Sequence, residues 1–269
     1  MLDAAHAEGL RVVLTMLSLP GARWKQNNGD KNDFRLYSDP AFLAAAARFW
    51  GDLATALRGH PALAAYNPLN EPRPERAARP VADVNSIYLP VVKAIRAADP
   101  LVPIILDGSD DASPAGLARL VPFADDNVLY AFHFYEPWDY INHRAKDPSA
   151  FPPHDRAALS RWMEPVRAWQ REHRLAPTRI VLEEFGVPRT KPGAAQYLAD
   201  VVSLAEAEGW HWLFYSFRED TWDQMDYELG SRPLPGAYWV AKERGEEPVV
   251  SRTDTPEWAP LRDGLRRRR

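Results

Sequence analysis

The stretch ALAAYNPLNEPRPE, residues 62–75, decides how the chain is read. An apolar run begins at Ala62 and closes on an amide, a carboxylate and a proline: Asn70, Glu71 and Pro72. Such an ending has two readings. Either the polar pair caps a helix after a core strand, or a carboxylate is carried at the mouth of a site. Glutamate is a poor N-cap beside Ser, Thr, Asp or Asn, which favours the second.

Five further runs of the same kind surround it: RVVLTMLSL (11–19), VPIILDG (102–108), NVLYAFHFY (127–135), TRIVLEEFG (178–186) and HWLFYSF (211–217). Segments with apolar residues at helical spacing lie between them, at 39–59, 81–99, 113–121, 155–173 and 193–209. Asp39 before Pro40 is a plausible N-cap, Pro90 marks a kink, and Gly209 is a stop. Near-continuous apolar strands alternating with helices predict an α/β fold with a mostly parallel sheet. No Gly-x-Gly-x-x-Gly follows a strand, so a nucleotide-binding sheet is disfavoured. The proline-rich loops are too short for interdomain linkers, and a single domain over residues 1–269 is expected.

Composition narrows the function classes. A net charge of −4 argues against a nucleic-acid partner, and the closing LRDGLRRRR reads as a solvated tail. The absence of cysteine excludes disulfides and thiolate metal sites. No stretch is apolar for long enough to span a bilayer, so no membrane partner is expected. The opening MLDAAHAEGL lacks a signal-peptide pattern and reads as the last turns of an amphipathic helix stopped by Gly9, so the chain is expected to begin mid-architecture. Localisation and oligomeric state are left open.

Polar residues gather at the carboxyl ends of the strand candidates: Asn70-Glu71, His133 to Glu136, Glu183-Glu184, and Tyr215 to Asp220. In a parallel barrel or sheet those ends share the face on which active sites are built. Four such clusters in register are hard to explain as caps.

The set LNEP (69–72), HFYEPW (133–138) and EEFG (183–186), in that order, resembles glycoside hydrolase family 5, and the resemblance covers residue 11 to about residue 217. It implies a TIM (β/α)8-type barrel with about six recognisable βα units, lacking the family's first two strands at its N-terminus. The function implied is a retaining, cellulase-like glycosidase acting on a β-linked glucan or related polysaccharide, endo-β-1,4-glucanase-like, with a carbohydrate substrate and neither cofactor nor metal. Glu71 would be the general acid/base and Glu184 the nucleophile. Asn70 would bind the sugar 2-hydroxyl, and His133 and Tyr135 would hydrogen-bond around the carboxylates and the sugar.

The chemistry fits these residue types. A retaining enzyme needs two carboxyls about 5–5.5 Å apart, one attacking and one protonating the leaving oxygen. Partial burial and a neighbouring carboxylate are expected to raise the pKa of the acid, Glu71. Alternation along the strand sends Glu183 and Glu184 to opposite faces. The resemblance selects Glu184, directly before Phe185.

Trp24, Trp138 and Trp222 lie in post-strand loops, where each could be a sugar platform or a loop anchor. The family's last strand usually carries a tryptophan beneath the sugar. Here Tyr215 takes that place, with Trp212 near it, and Ser18 stands where the family has a histidine. The acidic DGSDDAS, residues 107–113, lacks the spacing of an EF-hand loop and reads as a turn with a helix cap. The departures sharpen an alternative: an impaired barrel fragment that binds β-glycans without hydrolysis. A metal-dependent hydrolase is a third, weaker reading, since no His-x-His or His-Glu-x-x-His spacing occurs.

Overall fold

The computed structural model describes residues 1–25, 28–79, 82–142, 155–220 and 224–267. Among these residues six strands pair in chain order: β1 (Val12–Thr15), β2 (Leu63–Asn67), β3 (Ile104–Asp107), β4 (Val128–Phe134), β5 (Ile180–Phe185) and β6 (His211–Trp212). The pairs β1–β2, β2–β3 and β3–β4 are parallel. The chain forms two compact units, Met1–His133 with Pro165–Val181, and Phe134–Glu164 with Leu182–Arg269. Strands β4 and β5 run through the division.

In the first unit, alternation along the strands sorts side chains to two faces. Ala65, Ile105, Ala131 and Val181 form one buried cluster, with Val13 and Leu129 packed against it. Tyr66, next to Ala65, faces the other way and meets Trp50 edge-on, ring centroids 5.6 Å apart. Trp50 lies on the helix Pro40–Leu57, which Asp39 caps by accepting from the Ala41 N–H at 2.9 Å. The indole N–H of Trp50 donates to the Pro68 carbonyl at 3.0 Å. A helix on one side of the sheet thus holds the turn after β2 in place.

The helix Val84–Ala98 starts at Asp83, whose side chain accepts from the Ser86 N–H at 2.8 Å, and runs through Pro90. Where one long helix is expected over 155–173, two form, Arg156–Trp162 and Glu164–Glu172. Pro165 explains the break, because it has no N–H to bond back and its ring crowds the preceding turn. The acidic turn after β3 places Asp110, Asp111 and Ala112 in the left-handed region, and Ser113 caps the short helix that follows.

In the second unit, the backbone after β6 keeps pairing with β5: Leu213 N–H donates to Leu182 O at 2.9 Å and Tyr215 N–H to Phe185 O at 2.8 Å. The helix Ala194–Glu208 closes on Gly209 at φ +73°, as expected of that stop. Buried Arg189 pairs with Asp220 at 2.9 Å and also donates to the carbonyls of Gly230 and Arg232. That clasp ties the loop after β6 to the segment ending at Gly230. The segments beyond are helical, Gly236–Glu243 and Ala259–Arg267, and the second is not the solvated tail expected of LRDGLRRRR, for Leu261 and Gly264 are buried. Among the described residues, no helix is long and apolar enough to cross a membrane.

Candidate active site

The strand β2 ends at Asn67, three residues before the Asn70 expected from the apolar run. Pro68 has no N–H to continue the ladder. The chain still tracks its neighbour beyond that point, for Met16 N–H donates to Asn67 O and Asn70 N–H to Met16 O, both at 3.1 Å. Glu71 follows in a tight turn at φ +47°, a left-handed backbone that non-glycine residues seldom adopt.

The carboxylate of Glu71 has a defined set of partners in its unit. His133 Nδ1 lies 3.1 Å from Oε1, and Arg73 Nη2 donates to Oε2 at 3.4 Å. Its backbone N–H donates to Oδ2 of Asp107 at 2.9 Å. His133, buried near the end of β4, sits with its other nitrogen 3.6 Å from that same Oδ2. Asp107 Oδ1 accepts from Asn67 Nδ2 at 2.7 Å, and its carbonyl accepts from the Tyr88 phenol at 2.9 Å.

The charge balance around Glu71 corrects one expectation. Burial pushes its carboxyl up, but the hydrogen bond and charge of His133, with the guanidinium groups of Arg73 and Arg76, outweigh that and hold it below the ordinary value. The anticipated rise omits these cations, two of which follow Glu71 within five residues. Burial itself lowers Arg73 to about 10. The Arg73 guanidinium packs over the Trp24 ring and pairs with Asp111, and its backbone N–H donates to the Tyr37 phenol at 3.1 Å. One face of Trp24 is therefore covered by a cation, while its ring meets Phe34 edge-on.

The second unit carries the other candidates. The Tyr135 phenol, immediately after β4, donates to Oε2 of Glu184 at 2.9 Å. Glu183, the preceding residue on β5, is buried, whereas Glu184 is half-buried. Trp212 is buried, edge-on to Phe185 and against Gly264. Tyr215 is half-buried, its carbonyl accepts from the Tyr227 phenol at 2.8 Å, and the Tyr215–Ser216 peptide is cis. Trp138 opens a short helix and is 61% exposed, its backbone N–H bonded to Glu136 at 2.8 Å. Burial raises the pKa of Glu136. Trp222 lies outside the described residues.

Two residues that surround Glu71 escaped the sequence reading. Asp107 closes β3 in the same position relative to its strand as the polar clusters singled out elsewhere, and that placement was the available signal. Arg73 lies two residues from Glu71, but its role depends on a turn geometry the residue order does not reveal.

The family described as Cellulase (glycosyl hydrolase family 5) matches residues 1–221. A beta-xylosidase of Phanerodontia chrysosporium is 26% identical over 98% of this chain and 52% of its own length. Endoglucanase C of Acetivibrio thermocellus is 30% identical over 51% of this chain and 37% of its own. The chain thus spans about half or less of the curated relatives it matches. Among solved structures, the Pseudomonas stutzeri endoglucanase Cel5A aligns with a TM-score of 0.65 at 19% identity, covering 93% of this chain and 73% of that one. Thermotoga maritima Cel5A, solved in complex with cellobiose, aligns at 0.63 and 20% identity, covering 80% and 68%. These likenesses show the fold, an incomplete TIM (β/α)8-type barrel represented here by six strands.

Proposed function

We propose that this chain, which belongs to glycosyl hydrolase family 5, cleaves a β-linked glucan or related β-glycan with retention, using Glu71 and Glu184. Glu184 attacks the anomeric carbon while Glu71 protonates the departing glycosidic oxygen, leaving a glycosyl ester on Glu184. Glu71, now a carboxylate, takes a proton from water, which attacks the same carbon and frees the nucleophile. Asn70 hydrogen-bonds the sugar 2-hydroxyl. The Tyr135 phenol steadies the Glu184 carboxylate before attack and releases it as the ester forms. We read residues 1–269 as one catalytic domain, with an endo-acting β-1,4-glucanase as the most specific form of the assignment.

The observation that supports the reading is that each of the two glutamates, both at strand carboxyl ends, has its own hydrogen-bonding side chain. His133 serves Glu71 and Tyr135 serves Glu184. Held below its ordinary pKa, Glu71 is ionised near neutrality, the form in which its second role, as the base, begins. For the first, a bound sugar that displaces water from Glu71 would bring its pKa upward by desolvation.

The test is a polysaccharide panel with detection of the product anomer, run on the wild-type chain, Glu71→Gln and Glu184→Gln. Retained configuration, with both variants reduced by about a thousandfold or more, supports the assignment. Inverted products or full activity in either variant overturns it. Affinity for β-glucan with no reducing sugar released in the wild type points instead to a binding protein.

A further inference from the structure

We infer that Asp107 is a positioning residue for Glu71, setting the carboxylate's place through its backbone and through His133. The inference rests on the reading of Glu71 as the acid/base. Asp107 is completely buried at the end of β3, where an apolar side chain would pack without desolvation cost. A carboxylate in that position must be compensated by donors, and the surroundings supply them. Its two oxygens are divided between tasks. Oδ1 takes the amide of Asn67, itself fully buried at the end of β2. Oδ2 takes the backbone N–H of Glu71 and faces Nε2 of His133.

Two routes from Asp107 therefore converge on one carboxylate. The first is the main chain. Glu71 occupies a left-handed backbone that L-residues seldom adopt, and the N–H of that strained residue is held by Oδ2. The second is the imidazole. Its far nitrogen faces Asp107 and its near nitrogen meets Oε1 of Glu71, so ring orientation and carboxylate orientation are linked. Asparagine in place of Asp107 would keep the shape but replace one acceptor oxygen with an NH2 group. Either the Asn67 amide or the Glu71 N–H would then lose its acceptor.

The experiment compares kcat/KM on two substrates of one sugar series: dinitrophenyl β-cellobioside, whose leaving group needs no proton, and an unsubstituted cello-oligosaccharide, which does. Asp107→Asn and Asp107→Ala are measured in the full chain beside Glu71→Gln and the wild type. The ratio of the two kcat/KM values is independent of how much of a preparation is folded. A merely structural loss therefore leaves it unchanged. We expect Glu71→Gln to lower kcat/KM selectively for the oligosaccharide, and both Asp107 variants to do the same by about a hundredfold relative to the activated substrate, the loss expected of a misplaced catalytic group. A normal ratio in the Asp107 variants, with a selective loss in Glu71→Gln, overturns the inference alone. A normal ratio in Glu71→Gln overturns the acid/base reading, and the inference with it.

Discussion

Nδ1 of His133 lies 3.1 Å from Oε1 of Glu71, while the opposite nitrogen of the ring faces Oδ2 of Asp107 at 3.6 Å. One imidazole thus stands between two carboxylates drawn from the ends of β2 and β3. Its charge, with those of Arg73 and Arg76, governs how readily Glu71 holds a proton.

Arg73→Met is expected to raise the pKa of Glu71. Burial already pushes that carboxyl up, and the variant removes one of the cations pulling it down. If glycosylation requires protonated Glu71, the basic limb of the kcat/KM profile moves to higher pH. A pH series on wild type and variant checks this, and an unmoved limb counts against Glu71 as the acid.

Tyr135→Phe removes the phenol that donates to Glu184 at 2.9 Å. The carboxylate then loses the donor that orients it for attack, so kcat/KM should fall about ten- to a hundredfold, the loss expected of a misplaced catalytic group. The melting temperature should change little, because Tyr135 is half-buried and the variant keeps the ring. A large loss of stability with a proportionate loss of activity would assign the phenol a structural task instead.

Gly186→Ala should destabilise the second unit by about 1–3 kcal/mol, the usual cost of overpacking. An added Cβ would lie 2.4 Å from Tyr215 O, 2.7 Å from Met225 Sδ and 2.9 Å from the Tyr227 phenol oxygen. The contact with backbone is the one that cannot swing away. Urea unfolding of the two proteins measures the difference, and equal midpoints would refute this packing.

Asp83→Ala removes the cap of the helix Val84–Ala98, an exposed site where the loss should be about 1 kcal/mol at neutral pH. Hydrogen bonds from the Ser86 side chain and backbone hold the Asp83 carboxyl below its ordinary value. A depressed folded pKa means that this stabilisation is complete above the unfolded pKa and fades as pH falls through the folded one. The gap between wild type and variant, read by urea unfolding, should therefore narrow in acid. A constant gap down to strongly acidic pH would contradict the charge-dependent part.

The strand–helix alternation was legible because buried parallel strands are apolar along their whole length, and the six runs correspond to the six strands. The caps at Asp39 and Gly209 were legible because their causes are local. The ends of elements were less so. The ladder after β2 stops at Pro68, although the apolar run continues, and the helix over 155–173 breaks at Met163 before Pro165. Around Glu71, the partners that set its charge come from positions up to 62 residues away, and only the fold brings His133 and Asp107 to it. DGSDDAS was legible as a turn and a cap. That its first carboxylate turns inward while the others remain at the surface is not written in the order of the residues.

The backbone at residue 71 would suit glycine better than the glutamate it carries. On the role proposed for Glu71, relief of backbone strain and turnover pull in opposite directions at this position. A screen that rewarded heat tolerance alone would admit Glu71→Gly wherever that relief outweighs the loss of the carboxylate beside His133 and Arg73, and would enrich proteins without the proposed activity. Laboratory evolution of this chain toward hotter conditions should select for product formation in every round.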